Sequence, residues 1–77
     1  MDDRFVVPRA ERQSLMERAA IDGIAVKMRD GSVMRGTVHG VSNPFASVVV
    51  KTPLGDLAYE YSWATIRHAL DNGLELQ

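Results

Sequence analysis

The middle of the chain alternates apolar and polar residues, a pattern typical of strands that bury one face. Ile24, Val26 and Met28 fall at alternate positions and predict a first strand with an apolar face. Asp30 and Gly31 follow it and favour a two-residue hairpin turn, because both central residues of such a turn take positive φ. The pattern therefore predicts a β-hairpin.

The second strand of this hairpin carries two glycines on its apolar face. Met34, Gly36, Val38 and Gly40 share that face. Glycines at alternate positions weaken a flat strand, but they permit a sharp bend and the close approach of another backbone. We therefore expect the sheet to curl into a small barrel, and an ordinary meander with flexible strands is the alternative.

Three more strands are expected after the hairpin. β-branched residues indicate a third strand over 45–51, and alternating apolar residues indicate a fourth over 57–61. Residues 63–68 fit a short fifth strand. Turn-forming residues at 42–44 and 52–56 separate the second, third and fourth strands.

A helix is expected before the strands. Residues 14–17 have the serine and glutamate spacing of a capping box, although a helix start near Pro8 fits equally well. Asp22 and Gly23 are suited to the helix end, because glycine adopts the left-handed cap at little cost. One apolar stripe of this helix would lie across an open end of the barrel, and it consists of Leu15, Met16, Ala19 and Ala20.

Together these elements predict a mainly β fold. It is an N-terminal α-helix followed by a five-stranded, strongly bent small β-barrel. We expect a single domain over residues 1–77. Its parts are an N-terminal arm over 1–8, the helix over 9–22, the barrel over 24–70 and a tail over 71–77.

The composition is that of one small globular domain. The chain has 77 residues, of which 45% are hydrophobic and 25% are charged. A chain this short buries only about 60% of the surface that its unfolded form exposes, so self-association would stabilise it. Its formal net charge of −1 argues against a surface uniformly basic for nucleic acid. No apolar run approaches the roughly 18 residues of a membrane span, and the first residues lack a signal-peptide pattern, so we expect a cytoplasmic protein with no membrane partner.

The chemistry-bearing residues do not indicate an enzyme. The chain has no cysteine, which excludes disulfides and cysteine-based zinc sites. His39 and His68 stand on separate predicted strands without metal-ligand spacing. Asp30 and Asp56 fit turns better than they fit a paired acid and base. The sequence therefore predicts no catalytic residue, no metal and no cofactor.

The order of several short motifs resembles a known family. Residues 13–15 are Gln-Ser-Leu, residues 30–31 are Asp-Gly, and residues 34–38 are Met-Arg-Gly-Thr-Val. Residues 59–66, Tyr-Glu-Tyr-Ser-Trp-Ala-Thr-Ile, complete the pattern. In this order the motifs resemble the Sm-like family, and within it the bacterial Hfq branch of RNA chaperones.

This resemblance implies a ring of subunits that binds single-stranded RNA without catalysis, as an RNA chaperone or post-transcriptional regulator. In the family, the fourth and fifth strands pair between neighbouring subunits. Self-association is also expected in part from the strand itself, because an exposed edge strand over 57–61 has unpaired backbone groups that a second copy would satisfy. The residues expected at the subunit interface are Leu57, Tyr59, Tyr61, Trp63 and Ile66.

The resemblance also implies which residues bind RNA. Phe45 would stack on a base and Asn43 would hydrogen-bond a base edge, while Tyr61 would stack or hydrogen-bond. A core or interface plug is the alternative role for Phe45. The cations expected to form a basic patch on neighbouring strands are Lys27, Arg29 and Arg35, and ordinary outward-facing charge is the alternative.

Glu60 departs from the family pattern. It stands where the Hfq branch has a lysine that contacts RNA, and a carboxylate there repels phosphate. A second function is therefore kept open, a protein-binding adaptor or inhibitor on the same barrel. Rof, the Sm-like inhibitor of the Rho termination factor, is a precedent for it.

Overall fold

A computed structural model describes residues 6–40 and 42–77, and the first five residues of the predicted arm lie outside this part. Within these residues the chain forms an N-terminal helix, four antiparallel strands and a C-terminal helix. The elements in chain order are α1 (Arg9–Asp22), β1 (Ile24–Lys27), β2 (Val33–His39), β3 (Phe45–Thr52), β4 (Gly55–Ser62) and α2 (Trp63–Asn72).

β2 changes its pairing partner along its length. β2 pairs with β1 through Val33–Gly36 and with β3 through Thr37–His39, so the change falls between Gly36 and Thr37. A Cβ atom added at Gly36 would lie 2.9 Å from the carbonyl oxygen of Val49, closer than Cβ atoms approach oxygen in proteins. The close backbone approach predicted from the glycines is present at Gly36, between β2 and β3.

The predicted closure into a five-stranded barrel is wrong. The strand order is β1-β2-β3-β4, and β1 and β4 are the two outer strands of an unclosed sheet in the described residues. One apolar core receives buried side chains from both helices and from β1, β2 and β3, and Tyr59 and Tyr61 of β4 pack against it. Its fully or nearly fully buried members are Val7, Leu15, Ala19, Ile24, Val26, Val38, Ala46, Val48, Val50, Trp63, Ile66, Ala69 and Leu76.

Residues 63–68, which we expected to form the fifth strand, belong to α2. Trp63, Ile66 and Ala69 recur at intervals of three and all three are buried, which is the spacing of one helix face. The hydroxyl of Ser62 accepts a hydrogen bond from the amide of Thr65 at 3.1 Å and caps the helix. Because Trp63 and Ile66 also fit a short buried strand, the apolar run alone did not distinguish the two structures.

Trp63 fixes the position of α2 against the sheet. Its indole Nε1 donates to the carbonyl of Ser42 at 2.8 Å, and its backbone amide donates to the carbonyl of Pro44 at 2.7 Å. The ring lies so close to Gly40 that a Cβ added there would be 3.0 Å from its Cζ2. Gly40, directly after β2, thus leaves room for the tryptophan ring, whereas Gly36 leaves room for β3.

The first hairpin turn differs from the predicted two-residue turn. The amide of Met28 donates to the carbonyl of Ser32 at 2.7 Å, and the amide of Gly31 donates to the carbonyl of Met28 at 3.0 Å. This is a three-residue loop, in which Gly31 alone has positive φ, at 91°. Asp30 accepts hydrogen bonds from Ser32 instead of adopting positive φ.

Helix α1 begins after Pro8, the earlier of the two starts that the sequence allowed, so residues 14–17 do not form its cap. In the predicted stripe Leu15 and Ala19 are buried, Met16 is half-buried and Ala20 is exposed. Neither α1 nor α2, the two helices of the described residues, is long and apolar enough to cross a membrane.

The tail returns to the sheet. The amide of Leu76 donates to the carbonyl of Ala25, and the amide of Lys27 donates to the carbonyl of Leu76, both at 2.8 Å. The Leu76 side chain is buried. The tail therefore covers the outer edge of β1, so that β4 has the longer open edge.

Replacing Gly36 by alanine tests the close approach of β2 and β3. We expect Gly36→Ala to lower the free energy of unfolding by about 1–3 kcal/mol, because the added methyl group meets the backbone of β3. Urea denaturation followed by circular dichroism measures the change. Ser47→Ala, at an exposed site on β3, is the control and should change it by less than about 0.5 kcal/mol. Equal stability of the Gly36→Ala and wild-type proteins would contradict this explanation.

Candidate binding groove

A groove of about 530 Å³ opens between the two outer strands of the sheet. One wall is β1 with the loop that follows it, and the other wall is β4. The last residue, Gln77, lies between them. The lining residues are Val26, Lys27, Met28, Arg29, Asp30, Leu57, Tyr59, Tyr61 and Gln77.

The β4 wall is apolar and aromatic because of its register with β3. Leu57, Tyr59 and Tyr61 pair with Val50, Val48 and Ala46, which are all buried. Paired residues of adjacent strands share a face of the sheet, so these three side chains lie on the core face. The core does not extend under all of β4, and 43% of the Leu57 surface stays exposed.

The β1 wall supplies the charges of the groove. Lys27 ends β1, and Arg29 lies in the three-residue loop; both are exposed. The carboxylate of Asp30 accepts hydrogen bonds from the Ser32 hydroxyl at 2.6 Å and from the Ser32 amide at 2.9 Å. These hydrogen bonds lower the pKa of the Asp30 carboxyl, and they fix the position of its carboxylate within the loop. Lys27 and Arg29 therefore contribute positive charge to the lining of a groove whose other wall carries two tyrosines.

Tyr59 and Tyr61 form one aromatic surface. Burial raises the pKa of Tyr61, and the neighbouring Tyr59 raises it further. The Tyr61 hydroxyl donates to the carbonyl of Gln77 at 3.1 Å, which links β4 to the tail. Because the same tail pairs with β1, Gln77 connects the β4 wall of the groove to the β1 wall.

Phe45 and Glu60 lie on the opposite face of the sheet. Phe45 pairs with Ser62 and is 48% exposed, so it is not a plug of the chain's own core. Glu60 pairs with Ser47 on the same outer face. The charge of Glu60 is therefore directed away from the groove, although its neighbours in sequence line it.

Two other predicted RNA-binding residues also lie outside the groove. The amide of the Asn43 side chain donates to the carbonyl of Val7 at 3.1 Å and holds the chain before α1. Arg35 lies against Gly23 and lines a separate cavity of about 260 Å³ between α1, β1 and α2. Of the predicted RNA-binding residues, the structure brings Lys27, Arg29 and Tyr61 together.

Two of the residues predicted for the subunit interface are unavailable to a partner. Trp63 and Ile66 have 0% of their surface exposed, because α2 turns both into the chain's own core. Leu57, Tyr59 and Tyr61 remain accessible. The predicted interface residues that a partner could reach therefore all lie on β4.

The histidines occupy separate surfaces. His39 Nε2 lies 2.9 Å from the Thr37 hydroxyl on the outer face of β2. His68 Nδ1 lies 3.2 Å from the side-chain amide of Asn72 on α2. Each therefore has a local polar neighbour on its own element.

Sequence reasoning did not identify Met28 and Gln77 as lining residues. Met28 has a signal, since it continues the apolar alternation of β1. Gln77 has none, because its position depends on the pairing of the tail with a distant strand. Comparison with family models, with curated proteins and with solved structures gives no match.

The titration of Tyr61 tests whether the two tyrosines are neighbours. The chain has two tyrosines, so Tyr59→Phe leaves Tyr61 as the only phenol that ionises. We expect its pKa to fall relative to wild type and to stay above the ordinary 10.0, since burial remains. Tyrosinate absorbance against pH measures it, with Tyr61→Phe identifying the contribution of Tyr59.

The sign of the linked stability effect follows from the same shift. The folded protein holds the Tyr61 proton more tightly than the unfolded chain, so the stabilisation is present below pH 10 and is lost as the pH rises through the raised pKa. An unchanged pKa of Tyr61 in Tyr59→Phe would contradict the effect of Tyr59 on Tyr61.

Proposed function

We propose that this protein is a non-catalytic module that binds single-stranded RNA in the groove between β1 and β4. One observation carries the proposal: the same open groove holds two tyrosines on one wall and two cations on the other. A cytoplasmic role as an RNA chaperone or post-transcriptional regulator, as the Sm-like resemblance implies, is part of the proposal.

The proposed binding combines two interactions that suit a single strand. Bases stack on aromatic side chains with roughly 1–3 kcal/mol per base, and every base has a face that stacks. Tyr59 and Tyr61 supply such faces. Lys27 and Arg29, on the opposite wall, would neutralise phosphates. A single strand lying along the groove would contact both walls at once.

The position of Glu60 removes one objection to RNA binding. Its sequence position is that of a family lysine, but its carboxylate shares the outer face with Phe45. A strand bound in the groove would not meet it directly. Phe45 stays accessible and is an alternative stacking residue, so the outer face is the competing location for RNA.

Binding of a labelled uridine-rich or adenine-rich oligonucleotide, measured by fluorescence anisotropy, tests the proposal. Tyr59→Ala should weaken binding by about 5- to 150-fold, the equivalent of one lost stack. The logarithm of the association constant should fall with log salt with a slope of about −1.4 if Lys27 and Arg29 each neutralise one phosphate. In the Lys27→Ala, Arg29→Ala double variant this slope should approach zero.

Two matched controls locate the site. Lys51→Ala removes an exposed cation that does not line the groove, and Phe45→Ala removes an exposed aromatic ring on the outer face. Both should leave the affinity within about twofold of wild type. Loss of binding in Phe45→Ala but not in Tyr59→Ala would place RNA on the outer face, and no binding at low salt would refute the RNA hypothesis.

The open edge of β4 favours a second candidate, a protein-binding adaptor. An extended segment of another protein could add to the edge as a further strand, with Asp56 and Glu60 meeting basic side chains. Such binding would depend on backbone groups of β4 and would be lowered by Glu60→Lys, whereas RNA binding in the groove would not.

A further inference from the structure

The direction of the backbone groups of β4 follows from one hydrogen bond. The amide of Trp63 donates to the carbonyl of Pro44 at 2.7 Å, and this pair continues the register in which Phe45 faces Ser62. Hydrogen-bonded and non-bonded pairs alternate along an antiparallel ladder. Leu57, Tyr59 and Tyr61 therefore use their backbone groups to bond β3.

The intervening residues direct their backbone groups to the open edge. These are Asp56, Ala58 and Glu60, together with Ser62 at the end of the strand. No strand in residues 6–40 and 42–77 pairs with this edge. β4 has eight residues, contains no proline and pairs with β3 in unbroken register. A long regular edge of this kind is a template for another strand.

We propose that the occupant of this edge is β4 of a second copy of the chain. The two strands would run antiparallel about a two-fold axis, with Tyr59 opposite Tyr59 of the second copy. The sheet would continue across the axis and contain the β4 strands of both copies side by side.

The register follows from hydrogen bonding and charge. In a two-fold pair, the residues whose backbone groups point to the open edge must lie opposite one another. Three registers near the middle of β4 meet this condition. Pairing Ala58 with itself sets Asp56 against Glu60, and pairing Glu60 with itself sets two carboxylates face to face; like charges directly opposite are destabilising. Pairing Ala58 with Glu60 avoids both. Larger shifts lose hydrogen bonds, because β4 begins at Gly55 and ends at Ser62.

The side chains of the favoured register are complementary. On the groove face, Leu57 lies opposite Tyr61 of the second copy, and the two Tyr59 rings meet at the axis. Cross-strand pairs of aromatic and aliphatic residues stabilise a sheet by roughly 0.2–1 kcal/mol each. The three groove residues that the monomer leaves accessible on β4 thus acquire apolar neighbours.

The pairing also joins the two grooves. Leu57, Tyr59 and Tyr61 form one wall of the groove in each copy, and these walls would be adjacent across the axis. A head-to-tail ring of the family type would need a fifth strand, and those residues form α2.

Single cysteine variants test the register in a chain that has no cysteine of its own. Residues at a non-bonded antiparallel pair have Cα atoms about 4.5 Å apart, within the range of a disulfide. Tyr59→Cys should therefore form a covalent dimer in an oxidised glutathione buffer. Leu57→Cys should not, because its two copies would lie about 14 Å apart. A mixture of Leu57→Cys and Tyr61→Cys should cross-link to give the mixed dimer.

Sedimentation equilibrium tests the dimer without cross-linking. The wild-type protein should reach twice the 8.5 kDa chain mass as its concentration rises. Ala58→Pro removes an amide that points to the open edge, so it should stay monomeric with an unchanged circular dichroism spectrum. Ala58→Ser, which keeps the amide, should dimerise.

Three results would overturn the proposal. One is a wild-type protein that stays monomeric at every concentration, and another is a mass of many subunits that Ala58→Pro does not lower. The third is cross-linking of Leu57→Cys with no cross-linking of Tyr59→Cys. Because the cysteine variants report the register directly, they decide the question even if Ala58→Pro fails to fold.

Discussion

β2 packs so closely against β3 at Gly36 that a side chain does not fit there. With no side chain there, β2 passes over the Val49 carbonyl and pairs with β1 up to Gly36 and with β3 beyond it. The outer strands β1 and β4 line opposite walls of one groove. A side chain at position 36 would meet the backbone of β3 and push β2 away from it.

Trp63 determines what fills the remaining side of the sheet. Its burial and its hydrogen bonds to Ser42 and Pro44 require the chain to turn inward directly after β4. The following residues therefore form a helix over the core instead of a strand beside β4. The open edge of β4 is a consequence, since the segment that could have paired with it is used for packing.

The strands were predictable because their signal is local. Alternation at Ile24 and Val26 and the β-branched run in β3 lie within single elements. Helix α2 was not predictable, because Trp63 and Ile66 fit both a helix face and a short buried strand. The capping hydrogen bond of Ser62 is present only with the helix. The groove itself was not predicted. Lys27, Arg29 and Tyr61 were predicted RNA-binding residues, but only the fold brings them together and separates them from Phe45 and Arg35. The tail contact at Leu76 is long-range and has no sequence signal.

The proposed dimer depends on the regular backbone edge of β4, which a second copy would cover. Amide hydrogen exchange, followed residue by residue at low and high protein concentration, tests it most directly. The amides of Leu57, Tyr59 and Tyr61 should be protected at both concentrations, because they bond β3. Those of Asp56, Ala58 and Glu60 should exchange rapidly in the dilute protein and become protected as the concentration rises. Rapid exchange of these three amides at every concentration would contradict the account.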